Sequence, residues 1–274
     1  TGGVVTLPRS EPANHPGREG TAVPFFECMG RRLHYVEKGT GPLLLLLPGD
    51  TSSAAMHHGE LQHFGERYRT VCLDFWGTGR SERAPHWPAT WWEQCVEDTA
   101  FLIRHLDQGP ALVVGQSGGA AIALKLALAH PETVRALLSD SQVERLPQQW
   151  LRDIVARQRT PSPALVAFWH NAHGDDWRQV VDADQEAILR RAEQGDIDWY
   201  QGRLGSISCP VLLTGSLADR VMPDLPEQIL SMARQIPACH VYFAARGNHP
   251  LMWTNPTPWR RAADCFLAAQ PRGS

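Results

Sequence analysis

Short, continuous apolar runs recur along the chain and alternate with stretches of helical period. Leu43-Leu44-Leu45-Leu46-Leu47 and Ala111-Leu112-Val113-Val114 carry no polar residue at all, and Pro210-Val211-Leu212-Leu213-Thr214 carries one. Runs of four or five such residues suit strands buried on both faces. Further strands are expected at 33–36, 70–73, 136–139 and 241–244. Helices are expected at 54–66, at 90–106 with Val96, Ala100 and Ile103 on one face, and at 120–129, where Pro131 ends the last. Thr90-Trp91-Trp92-Glu93 fits a capping box at the second of these. Strands that alternate with helices in this way predict an α/β fold, with a mostly parallel central sheet and helices on both faces.

The alternation stops between 141 and 208. That stretch is helical in pattern, for example over 151–158 and 185–192, and it holds Trp150, Phe168, Trp169, Trp177, Trp199 and Tyr200. Before residue 25 the chain is rich in Gly, Pro and charge, with Pro8, Pro12, Pro16 and Pro24. That composition reads as an extended arm over 1–24.

At 274 residues, 43% of them hydrophobic, the chain can fill the core of one large domain, and a second full domain is not expected. A formal net charge of −3 gives no electrostatic ground for binding nucleic acid or an anionic membrane. Cys28, Cys72, Cys95, Cys209, Cys239 and Cys265 include no Cys-x-x-Cys pair, so neither a disulfide framework nor a metal framework is expected. His57, His58 and His63 cluster in sequence, but apart from Glu60 no carboxylate or thiol falls at metal-site spacing. They are read as ordinary helix positions, and no metal or cofactor is expected. No stretch reaches the roughly 18 apolar residues of a membrane span, and residues 1–24 lack a basic start and an apolar centre. A cytoplasmic location is therefore expected.

The candidate chemistry centres on Gly115-Gln116-Ser117-Gly118-Gly119, which lies between an expected strand and an expected helix. A strand, sharp turn and helix would project the serine hydroxyl from the C-terminal edge of the sheet. The glycines would relieve close approaches of neighbouring backbone. The helix would then aim its unpaired N–H groups and the positive end of its dipole at a developing oxyanion. A serine nucleophile needs a base, and the base needs an orienting carboxylate. Asp219 and His249 each follow an expected strand, at 210–214 and 241–244.

With these motifs and their order, serine then aspartate then histidine, the chain resembles the α/β-hydrolase superfamily from about residue 25 to 267. Asp74-Phe75-Trp76-Gly77-Thr78-Gly79-Arg80-Ser81 looks like a turn common in that superfamily, and Leu43 to Asp50 is similar to the strand leading to its oxyanion loop. Within the superfamily the general pattern is nearest the serine esterase and valacyclovir-hydrolase-like branch. The resemblance implies a core over 25–140 and 209–270, with 141–208 as a helical cap. It also implies a Ser117-His249-Asp219 triad, with Gly118 and Asp50 supplying oxyanion-hole N–H groups. The implied reaction is hydrolysis of a small-molecule carboxylic ester or thioester. The cap aromatics suit either an apolar or aromatic substrate portion or plain packing.

Two departures bear on this reading. Many relatives carry His-Gly at the oxyanion loop, whereas this chain has Pro48-Gly49-Asp50-Thr51-Ser52. A carboxylate beside an oxyanion is repulsive unless it points away or is protonated. Asp50 is therefore read as a loop-capping residue, with recognition of a cationic or hydrogen-bond-donating substrate group as the alternative. Asp140, at the end of the strand expected at 136–139, is the alternative triad acid, and Asp74 reads as structural. The same triad on this fold also serves carbon–carbon bond hydrolysis, lyase and perhydrolase chemistry, and some homologues only bind ligands. Fold alone does not choose among these. Dehalogenase and epoxide hydrolase relatives use an aspartate nucleophile, which Ser117 disfavours. The pattern leaves the oligomeric state open.

Overall fold

The computed structural model describes residues 24–270. The expected arm at 1–24 lies outside the described residues except for Pro24.

An eight-stranded sheet forms the centre. Its strands, in chain order, are β1 (Phe25–Cys28), β2 (Arg31–Lys38), β3 (Leu43–Leu47), β4 (Arg69–Asp74), β5 (Ala111–Gln116), β6 (Val134–Asp140), β9 (Val211–Ser216) and β10 (Cys239–Ala244). Their spatial order is β1-β2-β4-β3-β5-β6-β9-β10. The β1/β2 and β2/β4 pairs are antiparallel and every pair from β4 onward is parallel. The all-leucine β3 lies inside the sheet, between β4 and β5, and is buried at every position. Its side chains therefore feed the cores on both faces, Leu43, Leu45 and Leu47 on one and Leu44 and Leu46 on the other.

Helices α1 (His58–Phe64), α2 (Trp91–Leu106), α3 (Gly118–Ala129), α7 (Leu225–Gln235), α8 (Leu251–Thr254) and α9 (Pro256–Ala268) cover the sheet. The helix expected over 54–66 is split. Ala54–His57 is a 3₁₀ turn, α1 follows it, and Gly65 ends α1. The capping box expected at Thr90 is absent: α2 starts at Trp91 as the pattern implies, but the Thr90 backbone lies near φ −97°, ψ 20°, and its side chain makes no cap bond. An N-cap side chain needs an extended backbone to reach back to the N3 amide. Glu93, freed from that role, lies 3.0 Å from Lys125.

Residues 141–208 hold three helices, α4 (Gln148–Gln158), α5 (Pro163–His173) and α6 (Trp177–Glu193). They also hold a feature the pattern did not indicate, an antiparallel ribbon of β7 (Arg145–Leu146) with β8 (Ile197–Asp198). Two-residue strands are too short to show a period. Among the described residues, no helix is long and apolar enough to cross a membrane.

Candidate active site

The turn between β5 and α3 sets Ser117 at φ 51°, ψ −123°. A left-handed backbone at a non-glycine residue is strained and persists only where its surroundings fix it. Here the Ser117 N–H donates to the Asp140 carbonyl at 2.9 Å, and its carbonyl accepts from Ala120 and Ala121. Gly119 lies so near the Leu47 and Pro48 carbonyls that a Cβ would overlap them. The turn therefore packs directly on the end of β3, and the serine side chain is left at the sheet edge.

His249 follows β10, and its Nε2 lies 2.8 Å from Ser117 Oγ. Its Nδ1 lies 3.1 Å from Asp219 Oδ2, in the loop after β9. The other Asp219 oxygen accepts from the Val221 and Met222 N–H groups at 2.8 and 3.0 Å. Burial pushes the Asp219 carboxyl up, but the His249 hydrogen bond and charge, together with those two amides, more than offset it and hold it below the ordinary carboxylate range.

Asp140 sits elsewhere. Its Oδ1 accepts from the Thr214 hydroxyl at 2.6 Å and its Oδ2 from the Met252 N–H at 3.0 Å. Burial pushes this carboxyl up to about 6. Both oxygens are committed to the base of the site, and the hydrogen bond to His249 Nδ1 is made by Asp219. Asp74 is a structural hub that accepts from the Ala54 and Arg80 N–H groups and bonds His34 Nδ1. The clustered histidines have separate surroundings: His57 is buried against Trp253, His58 is exposed, and His63 bonds Asp264.

The oxyanion-loop candidates adjoin Ser117. Among the described residues, neither the Asp50 N–H nor the Gly118 N–H donates a hydrogen bond. The loop is held from outside. Thr51 has φ 54°, costly for a β-branched residue, and two side chains of α5 grip it. Trp169 Nε1 donates to its hydroxyl at 3.1 Å, and His173 Nε2 lies 3.0 Å from its carbonyl. Ser53 returns a bond to the Ala172 carbonyl at 2.7 Å. His173 was missed by the sequence reading because its partners lie far off in the chain. No local spacing marks it.

The Asp50 side chain does not cap its own loop, contrary to expectation. It accepts from Trp92 Nε1 at 3.1 Å and faces a cavity of about 180 Å³ beside Ser117 and His249. Trp92, Trp150, Trp199, Leu151 and Ile188 form much of the apolar wall. The aromatics of 141–208 thus divide. Trp150 and Trp199 face the cavity, Trp169 and Trp177 stack on each other 5.5 Å apart, and Tyr200 is buried in the main core. Asp184 of α6 also lines the cavity. It could have been seen in the sequence, because it interrupts the i, i+4 row Val180-Asp184-Ile188 on a helix face that is otherwise apolar.

Comparison with known proteins agrees with the architecture. Residues 42–169 match the model of the alpha/beta hydrolase fold family. The chain is 33% identical over 180 residues to an uncharacterized hydrolase, YraK, of Bacillus subtilis, covering 62% of this chain and 63% of that protein. It is 35% identical over 109 residues to the 2-(acetamidomethylene)succinate hydrolase of Mesorhizobium japonicum, covering 39% of this chain and 38% of that one. The chain thus spans under two thirds of either relative. The crystal structure of the enol-lactonase from Burkholderia xenovorans superposes with a TM-score of 0.72 at 19% identity, covering 89% of this chain and all of that one. That likeness speaks to fold. Sheet order and family model point the same way: the chain has the α/β-hydrolase fold.

Proposed function

We propose that the protein is a serine hydrolase that cleaves a small carboxylic ester or thioester through an acyl-enzyme. The observation that carries this reading is the unbroken hydrogen-bonded line Ser117 Oγ, His249, Asp219, with spacings of 2.8 and 3.1 Å. Ser117 Oγ attacks the carbonyl carbon while His249 Nε2 takes its proton, and Asp219 holds the Nδ1–H tautomer and stabilises the imidazolium. The tetrahedral oxyanion is met by the free N–H groups of Gly118 and Asp50. His249 then protonates the leaving alcohol or thiol, and water, deprotonated by the same imidazole, releases the acid and restores the serine.

The cavity wall supports a short apolar or aromatic portion next to the scissile bond. Its volume lies below the ~300–1,000 Å³ of sites for drug-sized ligands, which favours a compact acyl group. A fluorophosphonate probe tests the reading before any substrate is known. Stoichiometric labelling of the native protein at Ser117 is expected. Absence of labelling in the folded protein would overturn it.

A further inference from the structure

The cavity beside Ser117 is apolar over most of its wall, yet it holds two carboxylates. Asp184 is 1% exposed, and neither of its oxygens has a hydrogen-bond partner among the described residues. Asp50 has one, the Trp92 indole N–H. Among the described residues, no arginine or lysine lines the cavity and His249 is the one basic side chain there, its ring engaged with Ser117 and Asp219. Gln158 adds a further acceptor without a partner among the described residues, its Oε1. Unpaired buried acceptors are costly, and a buried carboxylate without a counter-charge more so. Burial and the neighbouring Asp50 charge hold the Asp184 carboxyl well above the ordinary range.

The wall around these acceptors is aromatic. Trp92, Trp150 and Trp199 line the cavity, and indole faces attract cations, as Lys125 and Arg191 do at the Trp199 ring, each 5.8 Å from its centroid. An ammonium satisfies unpaired carboxylates, a spare amide oxygen and indole rings together.

We propose that the substrate's acyl group carries a protonated amine, which Asp184 and Asp50 hold from opposite elements, α6 and the loop after β3, against an indole wall. This inference rests on the serine-hydrolase reading and names its substrate class. It also resolves the difficulty posed by Asp50. The Asp50 carboxylate is packed on Gly118 so tightly that a Cβ there would overlap it, so its charge lies beside the expected oxyanion. A bound ammonium neutralises that charge in the same complex in which the oxyanion forms. Neutral esters leave Asp50 to oppose it when ionised, and discrimination therefore reaches kcat as well as KM.

The test compares three phenyl esters of similar shape: 3-aminopropanoate, butanoate, and the hydrogen succinate monoester. They place an ammonium, a methyl or a carboxylate at the chain end. The ammonium ester is expected to exceed butanoate in kcat/KM by at least about tenfold at pH 7, with the anionic ester slowest. In Asp184→Asn the ratio of ammonium to butanoate ester should fall to within about threefold of unity. An independent readout uses the wild type alone: propylammonium should slow fluorophosphonate labelling of Ser117 at concentrations where 1-propanol does not. Labelling with butanoate preferred, or with the succinate ester preferred, overturns the amine proposal while leaving the serine mechanism standing. Absence of labelling fails the underlying reading instead.

Discussion

His173 joins two turns from separate strand ends, the one after β3 that holds Thr51 and the one after β4 that holds Gly79. Its Nδ1 accepts from the Gly79 N–H at 3.0 Å, which leaves the proton on Nε2 to donate to the Thr51 carbonyl, also at 3.0 Å. The bridging group must therefore be the neutral ring, because an imidazolium has no lone pair for Gly79. Through this ring, α5 holds the strained Thr51 next to Asp50.

The first prediction concerns acid. Burial pulls the His173 pKa down to about 4 from an ordinary 6.5. The unfolded chain then binds a proton at a pH where the folded chain does not, so this group's stabilisation is complete above 6.5 and is lost as pH falls through 4. The full window corresponds to about 3 kcal/mol. Asp98 and Asp140, both pushed up to about 6 by burial, act in the opposite sense. The contribution must therefore be read as a difference. Urea denaturation of wild type and His173→Gln at pH 7.5 and pH 4.5 should show the wild-type advantage shrinking with acid. Parallel losses in the two proteins would exclude His173 as the source.

The nucleophile gives the second prediction. Ser117→Ala should lower ester turnover by about 10⁴ to 10⁶ while the melting temperature stays within a few degrees, because the change removes one hydroxyl and keeps the turn's glycines. Turnover near the wild-type rate in this variant would dismiss the serine mechanism.

Third, the two aspartates separate by role. Asp219→Asn should cost about 10³ to 10⁴ in kcat by favouring the wrong imidazole tautomer. Asp140→Asn removes no partner of His249 Nδ1. It disturbs the bonds to Thr214 and Met252, so its effect should appear as a stability loss of about 1–2 kcal/mol with kcat within about tenfold. Steady-state kinetics and thermal melts on both variants decide, and the reverse ranking in kcat would move the acid to Asp140.

These partners differ in how far the sequence exposes them. Ser117 is marked locally, since its turn needs glycines between an apolar run and a helix, and such constraints are written within five residues. Strand positions were legible because buried parallel strands leave continuous apolar runs, as in β3. Long-range polar bonds leave no such trace. Nothing in the neighbourhood of His173 announces Gly79 and Thr51, and the side-chain direction of Asp50 depends on Trp92, 42 residues away. The β7–β8 ribbon escaped for another reason, because pairs of two residues carry no period to detect.

The last prediction concerns acyl length. Transfer of one methylene out of water contributes about 0.8 kcal/mol, close to fourfold in kcat/KM, as long as the cavity has room. The cavity of about 180 Å³ is lined in part by Trp150, whose indole N–H is fixed to the Val221 carbonyl at 3.0 Å. That space is smaller than the ~300–1,000 Å³ of sites for drug-sized ligands. A neutral p-nitrophenyl series should therefore rise from acetyl to about hexanoyl and then fall, where an open apolar trough would keep rising through octanoyl. Trp150→Ala enlarges the cavity and should move the optimum outward by two or more carbons, while acetate turnover changes less than the long-chain rates. A profile that is flat from acetyl to octanoyl, or an optimum that Trp150→Ala does not shift, would show that the acyl chain does not enter this cavity and that Trp150 serves only to pack α4 against the loop after β9.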